Sequence, residues 1–505
     1  MWETARNQPA GDELDQPLYL TGIPGSNKDN RLFVVEKNLG VVRVIENYVL
    51  QPGTYLDLAA GIALNNPVYV LDASGHNGFM SMAFHPDFES NGRLFVAFME
   101  RPDGGTNPIY AVVLEYSVMN DVPAYNKEIF RSDDVGGQSH GAGALRFLPD
   151  GSLLFGLGDG DQGPYTVGLG GTYHSSQDLQ DSRGKLHRLL TAEAGFTSWL
   201  PANPYPPSEI WTLGLRNPYA FAVGPLDVWI ADPGLHQKEE ISRIKHSSAG
   251  SNLQWPCFEG TYQTLQPPPP APPITCPQGS QTPPIHSYNT VGGNAIIGGV
   301  VNDPDTHGSW RGKVAFTFVQ FNSGQAEFID NSSPPNLGSI TTPFGNGDVT
   351  GFGSDNGGGS YLVVGNYFNN LSHAVIHKIV EACDSIPIGN CVPNPNSTGL
   401  VGELCGSDAL NTGQASIIGN LVRFTARAVP NRQRALLYMN NISFTATPFS
   451  AGLDCIGITD INNPAELIKT VATRNSMAVF DLDMTLPPPD TCICKHYVEV
   501  PMRVH

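Results

Sequence analysis

The chain runs to 505 residues with 28 Lys and Arg against 47 Asp and Glu, a formal net charge of −19. A surface of that sign repels phosphate backbones and anionic headgroups, which sets nucleic acid and lipid surfaces aside as partners. With 55 Gly and 42 Pro spread between short apolar runs and no collagen period, the chain reads as globular and turn-rich, and no apolar run is long enough to cross a bilayer as a helix.

In chain order, Met1 to Pro17 is polar and lacks the apolar core of a signal peptide, so residues 1–16 read as an N-terminal arm. Beyond it one local pattern recurs, a polar or glycine turn followed by an apolar strand of about five residues. It occurs at Asp29 to Val35, Asn91 to Val96, Asp150 to Phe155, Leu226 to Ala231, Arg311 to Phe316 and Gly358 to Val363. The six occurrences are unevenly spaced, roughly 50 to 90 residues apart, as blades with variable loops would be. The pattern predicts an all-β chain and a six-bladed β-propeller over residues 17–381, with the last blade completed by the N-terminal strand. A set of ordinary sandwich domains would show similar turn-strand pairs.

Within this frame the stretch Ser139 to Gly163 stands apart. His140 lies in a glycine-flanked entry, the turn Pro149-Asp150-Gly151 follows, and the strand Leu153 to Leu157 empties into Gly158-Asp159-Gly160-Asp161-Gln162-Gly163. A base and an acidic loop would therefore share one end of a sheet, where binding and chemistry usually reside. Asp159 and Asp161 are open to three roles: contact with a substrate, ligation of calcium, or capping of turns.

Further on, Gln266 to Pro273 is a polyproline excursion that cannot be sheet interior, because proline supplies no ladder donor. Cys257 and Cys276 flank it and are expected to clasp it as a disulfide. All eight cysteines lie in the second half and none forms a paired C-x-x-C, so disulfides are favoured over zinc. Sequons at Asn331, Asn370, Asn396 and Asn441 accord with a secreted or cell-surface glycoprotein whose signal peptide is not in this numbering. Residues 382–505 read as a separate cysteine-rich, mostly β region with strand-like runs at Leu421 to Phe424 and Ala435 to Tyr438. One helix is expected there, with Asn463 as N-cap, Pro464 in the first turn, Glu466 at the capping-box position, and Leu467 and Val471 along it.

Four longer segments remain: Gly78 to Phe88 (GFMSMAFHPDF), Ser182 to Leu189 (SRGKLHRL), Trp211 to Pro218 (WTLGLRNP) and Asn252 to Gly260 (NLQWPCFEG). In this order they resemble segments of a known family, the soluble quinoprotein glucose dehydrogenases and the wider glucose/sorbosone dehydrogenase group. The resemblance spans roughly Pro17 to Glu381 and implies a six-bladed propeller. It also implies oxidation of an aldose at its anomeric carbon, with hydride passing to pyrroloquinoline quinone (PQQ) held by calcium. His140 would then be the general base, and Arg216 would stand by the quinone carbonyl with Asn217 beside it. His76, Asn77, Asp161 and Gln162 would face the sugar, and calcium would take the backbone carbonyls of Gly234 and Leu235 near Glu240. His85 and Asp87 also match family residues, with a turn-building role expected of them.

Departures from the pattern bear on the same reading. His76 replaces a family glutamine and Ser139 a family aspartate. The positions of the quinone-carboxylate lysine and of the arginine pair fall near Phe321 or Asn322 and near Gly347 and Val349, none of them basic. Two function classes follow: a PQQ- and calcium-dependent sugar dehydrogenase, or a non-catalytic extracellular propeller like the Hedgehog-interacting proteins. In the second, the C-terminal region would engage a protein partner.

Overall fold

The computed structural model describes residues 14–24, 31–46, 49–58, 69–191 short of 103, 106, 107 and 172, 203–264, 281–290, 295–302, 315–320, 325–340 short of 334, 349–356, 359–364 and 375–379, together with seven strands between 413 and 483. Backbone contacts divide the chain into two units, residues 2–380 and 381–505.

The larger unit is a succession of antiparallel meanders. Phe79–Phe84, Arg93–Glu100, Tyr110–Met119 and Val122–Arg131 form one, and Ala142–Phe147, Leu153–Leu157, Lys185–Leu189 and Ile210–Leu213 the next. Then come Ala220–Val223, Asp227–Pro233, Lys238–Lys245 and His286–Asn289, followed by a sheet built on Ile296–Ile297, Ala315–Gln320, Ala326–Asp330 and Leu337–Ile340. The strand portion of each of the six sequence repeats lies on the second strand of its meander: Leu32–Glu36, Arg93–Glu100, Leu153–Leu157, Asp227–Pro233, Ala315–Gln320 and Ser360–Val364. Such strands have a sheet neighbour on either side and sheets packed on their faces, which is why they read as continuous apolar runs.

Apolar layers fill the spaces between consecutive sheets. Phe33, Phe79, Phe95 and Phe155 belong to one cluster, Leu154, Trp211, Phe221 and Ile230 to another, and Trp229, Ile296, Phe316 and Phe318 to a third. Val319, Val349, Phe352 and Leu362 form a fourth, while Leu20, Val34, Tyr361 and Val363 join the last strands to the first.

The N-terminal strand joins the chain's beginning to its end. Pro17–Thr21 lies between the first and last meanders in one continuous sheet, pairing antiparallel with Leu32–Glu36 on one side. On its other side it pairs in parallel with Val349–Ser354, Leu20 opposite Gly353 and Thr21 opposite Ser354, while Thr350 Oγ1 donates to the Pro17 carbonyl at 2.7 Å. The last meander keeps its own strands, Val349–Ser354, Ser360–Val364 and Val375–Lys378. Glycine makes the close approach feasible, since a Cβ at Gly351 or Gly353 would run into the carbonyl oxygen of Leu18 or Leu20.

One buried ion pair sits in the sheet begun by Phe79–Phe84. Arg93 donates to Glu115 through Nε at 2.8 Å and Nη2 at 3.0 Å, and Asn126 Nδ2 adds a third bond at 3.0 Å. Burial pushes the Glu115 carboxyl up, but the Arg93 bonds and charge outweigh it and hold the group below its ordinary range.

In the smaller unit, Leu421–Arg427 and Arg434–Met439 are strands, as their sequences suggest. The expected helix is a strand instead: Glu466–Ala472 pairs antiparallel with Arg434–Met439. Ile468, Thr470 and Val471 are β-branched and favour a pleated strand with a partner, and this tertiary pairing overrides the capping signals at Asn463 and Glu466. The cysteines at 276, 383, 391, 405, 455, 492 and 494, and the sequons at Asn370, Asn396 and Asn441, lie outside the described residues.

Candidate functional site

The antiparallel pairing of Ala142 with Leu157 aligns the residues just outside both strands, and so carries His140 to the acidic loop. Gly158 N–H donates to the Gly141 carbonyl at 3.0 Å and Gly160 N–H to the His140 carbonyl at 3.1 Å. A Cβ on Gly158 would strike the His140 backbone, so the first glycine of the loop is a requirement of this approach. His140 and Asp161 both hold left-handed backbones, φ 54° and 57°, uncommon for side-chain-bearing residues and concentrated at functional sites.

His140 Nδ1 lies 2.7 Å from Oδ1 of Asp159, whose side chain is wholly buried. An ionised carboxylate only accepts, so in the neutral imidazole Nδ1 carries the proton and Nε2 the lone pair. Nε2 is 3.7 Å from Asp161 Oδ1, and the same oxygen is 3.6 Å from Arg216 Nη2. Both gaps exceed a hydrogen bond, which leaves Asp161, half exposed, able to turn toward a bound hydroxyl.

Arg216 and Asn217 follow the strand Ile210–Leu213, and the carboxylate of Asp232 accepts both their backbone N–H groups, at 2.9 and 2.6 Å. Burial pushes Asp232 up to about 7. The Arg216 carbonyl in turn accepts the Asp159 N–H at 2.8 Å, so base, carboxylate and arginine share one backbone framework. His76 stands on an exposed turn held by its N–H on the Gln138 carbonyl, and crowding around its ring, with His140 close by, lowers its pKa. Asn77 is buried and spends its amide on Asp72 at 2.9 Å and Gly137 at 3.2 Å, which makes it a strut under the loop before His140. Gln162 is partly buried beside Asp161. His85 builds its turn, Nδ1 accepting from the Asp87 N–H at 3.0 Å.

The residues expected to hold calcium fall on the hairpin between Asp227–Pro233 and Lys238–Lys245. Gly234 and Leu235 are half-buried at its turn, and Glu240 is buried with Oε1 accepting from Gly260 N–H. Glu259, which no expectation included, closes the turn by accepting from the N–H groups of His236, Gln237 and Lys238 at 3.2, 2.8 and 3.2 Å. Burial raises Glu239 to about 7, and burial with the nearby Asp232 charge raises Glu240 well above the ordinary range. Such oxygens suit a hard cation, although among the described residues no three His, Cys, Asp or Glu side chains converge as a metal-binding group. Phe321, Asn322 and Gly347 lie outside the described residues, and Val349 is buried at the start of its strand.

Under the site, Lys185 is fully buried, with Nζ donating to the Ser175 and Arg183 carbonyls at 2.6 and 2.7 Å. Burial depresses it to about 7, so the unfolded chain takes up a proton near the ordinary lysine pKa while the folded chain does not until about 7. Its contribution to stability therefore falls as pH drops from about 10.5 to about 7 and is constant below. The stability advantage of wild type over Lys185→Met is expected to be larger at pH 10 than at pH 7, measured by urea unfolding at each pH; an advantage independent of pH would show that the lysine charges freely in the fold.

With the geometry in place, comparison with known proteins is informative. The family model described as Glucose / Sorbosone dehydrogenase matches residues 14–323. The chain belongs to this family. Relatives include the Synechocystis protein slr1608, 26% identical over 61% of this chain and 71% of its own length. HIPL1 of Arabidopsis thaliana is 26% identical over 51% and 44%, and the aldose sugar dehydrogenase YliI of Escherichia coli 25% over 48% and 60%. The chain thus spans about half the length of several of the curated relatives it matches. Among solved structures, a glucose dehydrogenase superposes with a TM-score of 0.57 at 21% identity, over 76% of this chain and 99% of that one. A PQQ-bound aldose sugar dehydrogenase from Streptomyces coelicolor gives 0.53 at 17%, over 75% and 99%. These likenesses establish the fold, a β-propeller of the glucose dehydrogenase kind.

Within the family frame, the sequence singled out His140, Arg216 and Asp161, which the fold brings together. It left the role of Asp159 undecided and did not point to Trp255 or Glu259. The available signal was positional, since Asp159 has glycine on both sides and the other two sit in the NLQWPCFEG segment.

Proposed function

We propose that this chain is a PQQ-dependent aldose dehydrogenase acting on the anomeric carbon of a sugar. The observation that carries the reading is the pairing of His140 Nδ1 with the buried Asp159 carboxylate, which leaves Nε2 as a base beside Arg216. His140 Nε2 takes the proton of the anomeric hydroxyl as the C1 hydrogen departs as hydride, and the sugar becomes its lactone. PQQ, when bound, would supply the acceptor for that hydride. Arg216 and Asn217 would hold its reacting carbonyl, the guanidinium offering a fixed cation where negative charge develops. His76, Asp161 and Gln162 would orient the sugar hydroxyls from the rim, with Asn77 supporting the loop beneath.

Calcium would sit on the carbonyls of Gly234 and Leu235 near Glu240. Support comes from the Asp232, Glu239 and Glu240 carboxyls, whose pKa values burial raises and whose charged forms a bound cation would favour. The ring is taken as six blades, one for each meander. Export is supported by Cys257, which is disulfide-bonded, with Cys276 as its proposed partner, and by the exposed sequon at Asn331.

A second reading, a non-catalytic extracellular propeller that binds a protein through residues 382–505, is favoured by one observation. Val349, at a position where the family has an arginine, is apolar and buried. Purified protein with PQQ and calcium chloride, assayed by dye reduction on a panel of aldoses, separates the two. Turnover on any aldose supports the dehydrogenase; PQQ titration without binding, and no turnover, overturns it in favour of the binding module.

A further inference from the structure

Trp255 is joined to both halves of the chemistry, though it lies about a hundred residues from His140. Its indole Nε1–H donates to Asp159 Oδ2 at 2.9 Å, the oxygen not engaged by His140. Its ring lies under the Arg216 guanidinium, 5.7 Å from centroid to Cζ, and meets the buried His174 ring edge-on at 6.1 Å. Trp255 is itself fixed: it is buried, its backbone N–H donates to the Gly214 carbonyl at 2.9 Å, and its backbone carbonyl accepts from Gln177 Nε2 at 2.6 Å.

We infer that Trp255 is a positioning residue that sets His140 and Arg216 in register with each other. Asp159 has one torsion that matters, the rotation of its carboxylate plane. Oδ1 takes both the His140 Nδ1 bond and the Asp161 N–H at 2.9 Å, so without a bond on Oδ2 the plane could still turn about that one oxygen and carry the imidazole with it. The indole N–H fixes the second oxygen, and so fixes the direction in which His140 Nε2 points. The same ring presents an apolar, electron-rich face to the guanidinium and attracts it there. One rigid side chain therefore sets the separation between the proton acceptor and the cation, a distance to which hydride transfer is sensitive.

The catalytic part of this inference rests on the dehydrogenase reading; the positional part does not, and the test separates them. Trp255→Phe keeps a ring under Arg216 and removes only the N–H. In the full-length protein labelled with 15N-histidine, the His140 Nδ1–H resonance, assigned by its loss in His140→Gln, is expected to shift or be lost to exchange in Trp255→Phe. In PQQ- and calcium-loaded enzyme, kcat is expected to fall roughly tenfold to a hundredfold, as for loss of a hydrogen bond to a charged group, with KM unchanged. Trp255→Leu, which also removes the platform, is expected to raise KM as well. A folded Trp255→Phe with wild-type His140 resonance and wild-type kcat overturns the inference. If wild type turns over no aldose, the dehydrogenase reading fails, and the resonance alone decides whether Trp255 positions His140. Should Trp255→Phe fail to fold, the wild-type indole N–H decides instead: its resonance must respond to Asp159→Asn, and indifference overturns the proposal.

Discussion

His140→Ala is expected to lower aldose turnover roughly a hundred- to ten-thousandfold, the range a positioned general base contributes, while PQQ binding measured by titration stays near wild type. Asp159 remains buried in that variant with Trp255 still on its Oδ2, the Asp161 N–H on its Oδ1 and its own N–H on the Arg216 carbonyl, so the loop keeps these anchors. Arg216→Ala is expected to weaken both turnover and PQQ binding, because the same cation serves the cofactor and the developing charge. A His140→Ala protein that retains turnover would remove the histidine from the mechanism. Equal loss of PQQ binding in both variants would mean that the site had collapsed instead.

Glu115→Ala is expected to destabilise the larger unit by about 3–5 kcal/mol, read from the urea midpoint, because it strands the buried Arg93 guanidinium. Glu115 is 2% exposed and Arg93 9%, and the arginine also donates to the Thr191 carbonyl, which cannot neutralise it. The exposed pair of Arg31 with Asp121 gives the contrast, since Asp121→Ala should cost no more than about 1 kcal/mol. Equal effects at the two positions would refute the burial argument. Replacing Arg93 and Glu115 together by Met and Leu should recover much of the loss, because no charge is then left buried.

What could be read from sequence was what is written locally. The six turn-strand repeats were legible because a glycine or aspartate turn followed by an apolar run specifies a strand within a few residues, and each fell on the second strand of its meander. His140 and the GDGDQG loop were legible because they lie at the two ends of a single hairpin. The separation of roles between Asp159 and Asp161 was not, since both are aspartates next to glycine and only burial divides them: Asp159 is closed off and Asp161 is half exposed. Trp255 and Glu259 reach their partners through contacts across the sheet ends, which no spacing encodes. The strand at Glu466–Ala472 was misread because capping signals are local while its pairing with Arg434–Met439 is not.

The seam between Pro17–Thr21 and Val349–Ser354 also sets a schedule for biosynthesis. Thr350 and Pro17 are 333 residues apart in sequence, so at 5–20 residues per second the ribosome needs roughly 15–70 s after making the first strand before its parallel partner exists. Through that interval Leu20, wholly enclosed in the finished protein, has no last meander to pack against, and the parallel edge of the strand is open to any passing β-segment. A nascent chain of this kind needs either a chaperone bound at its first strand or early pairing with Leu32–Glu36 to hide half of that edge, and the completed ring forms only once translation has passed the last meander.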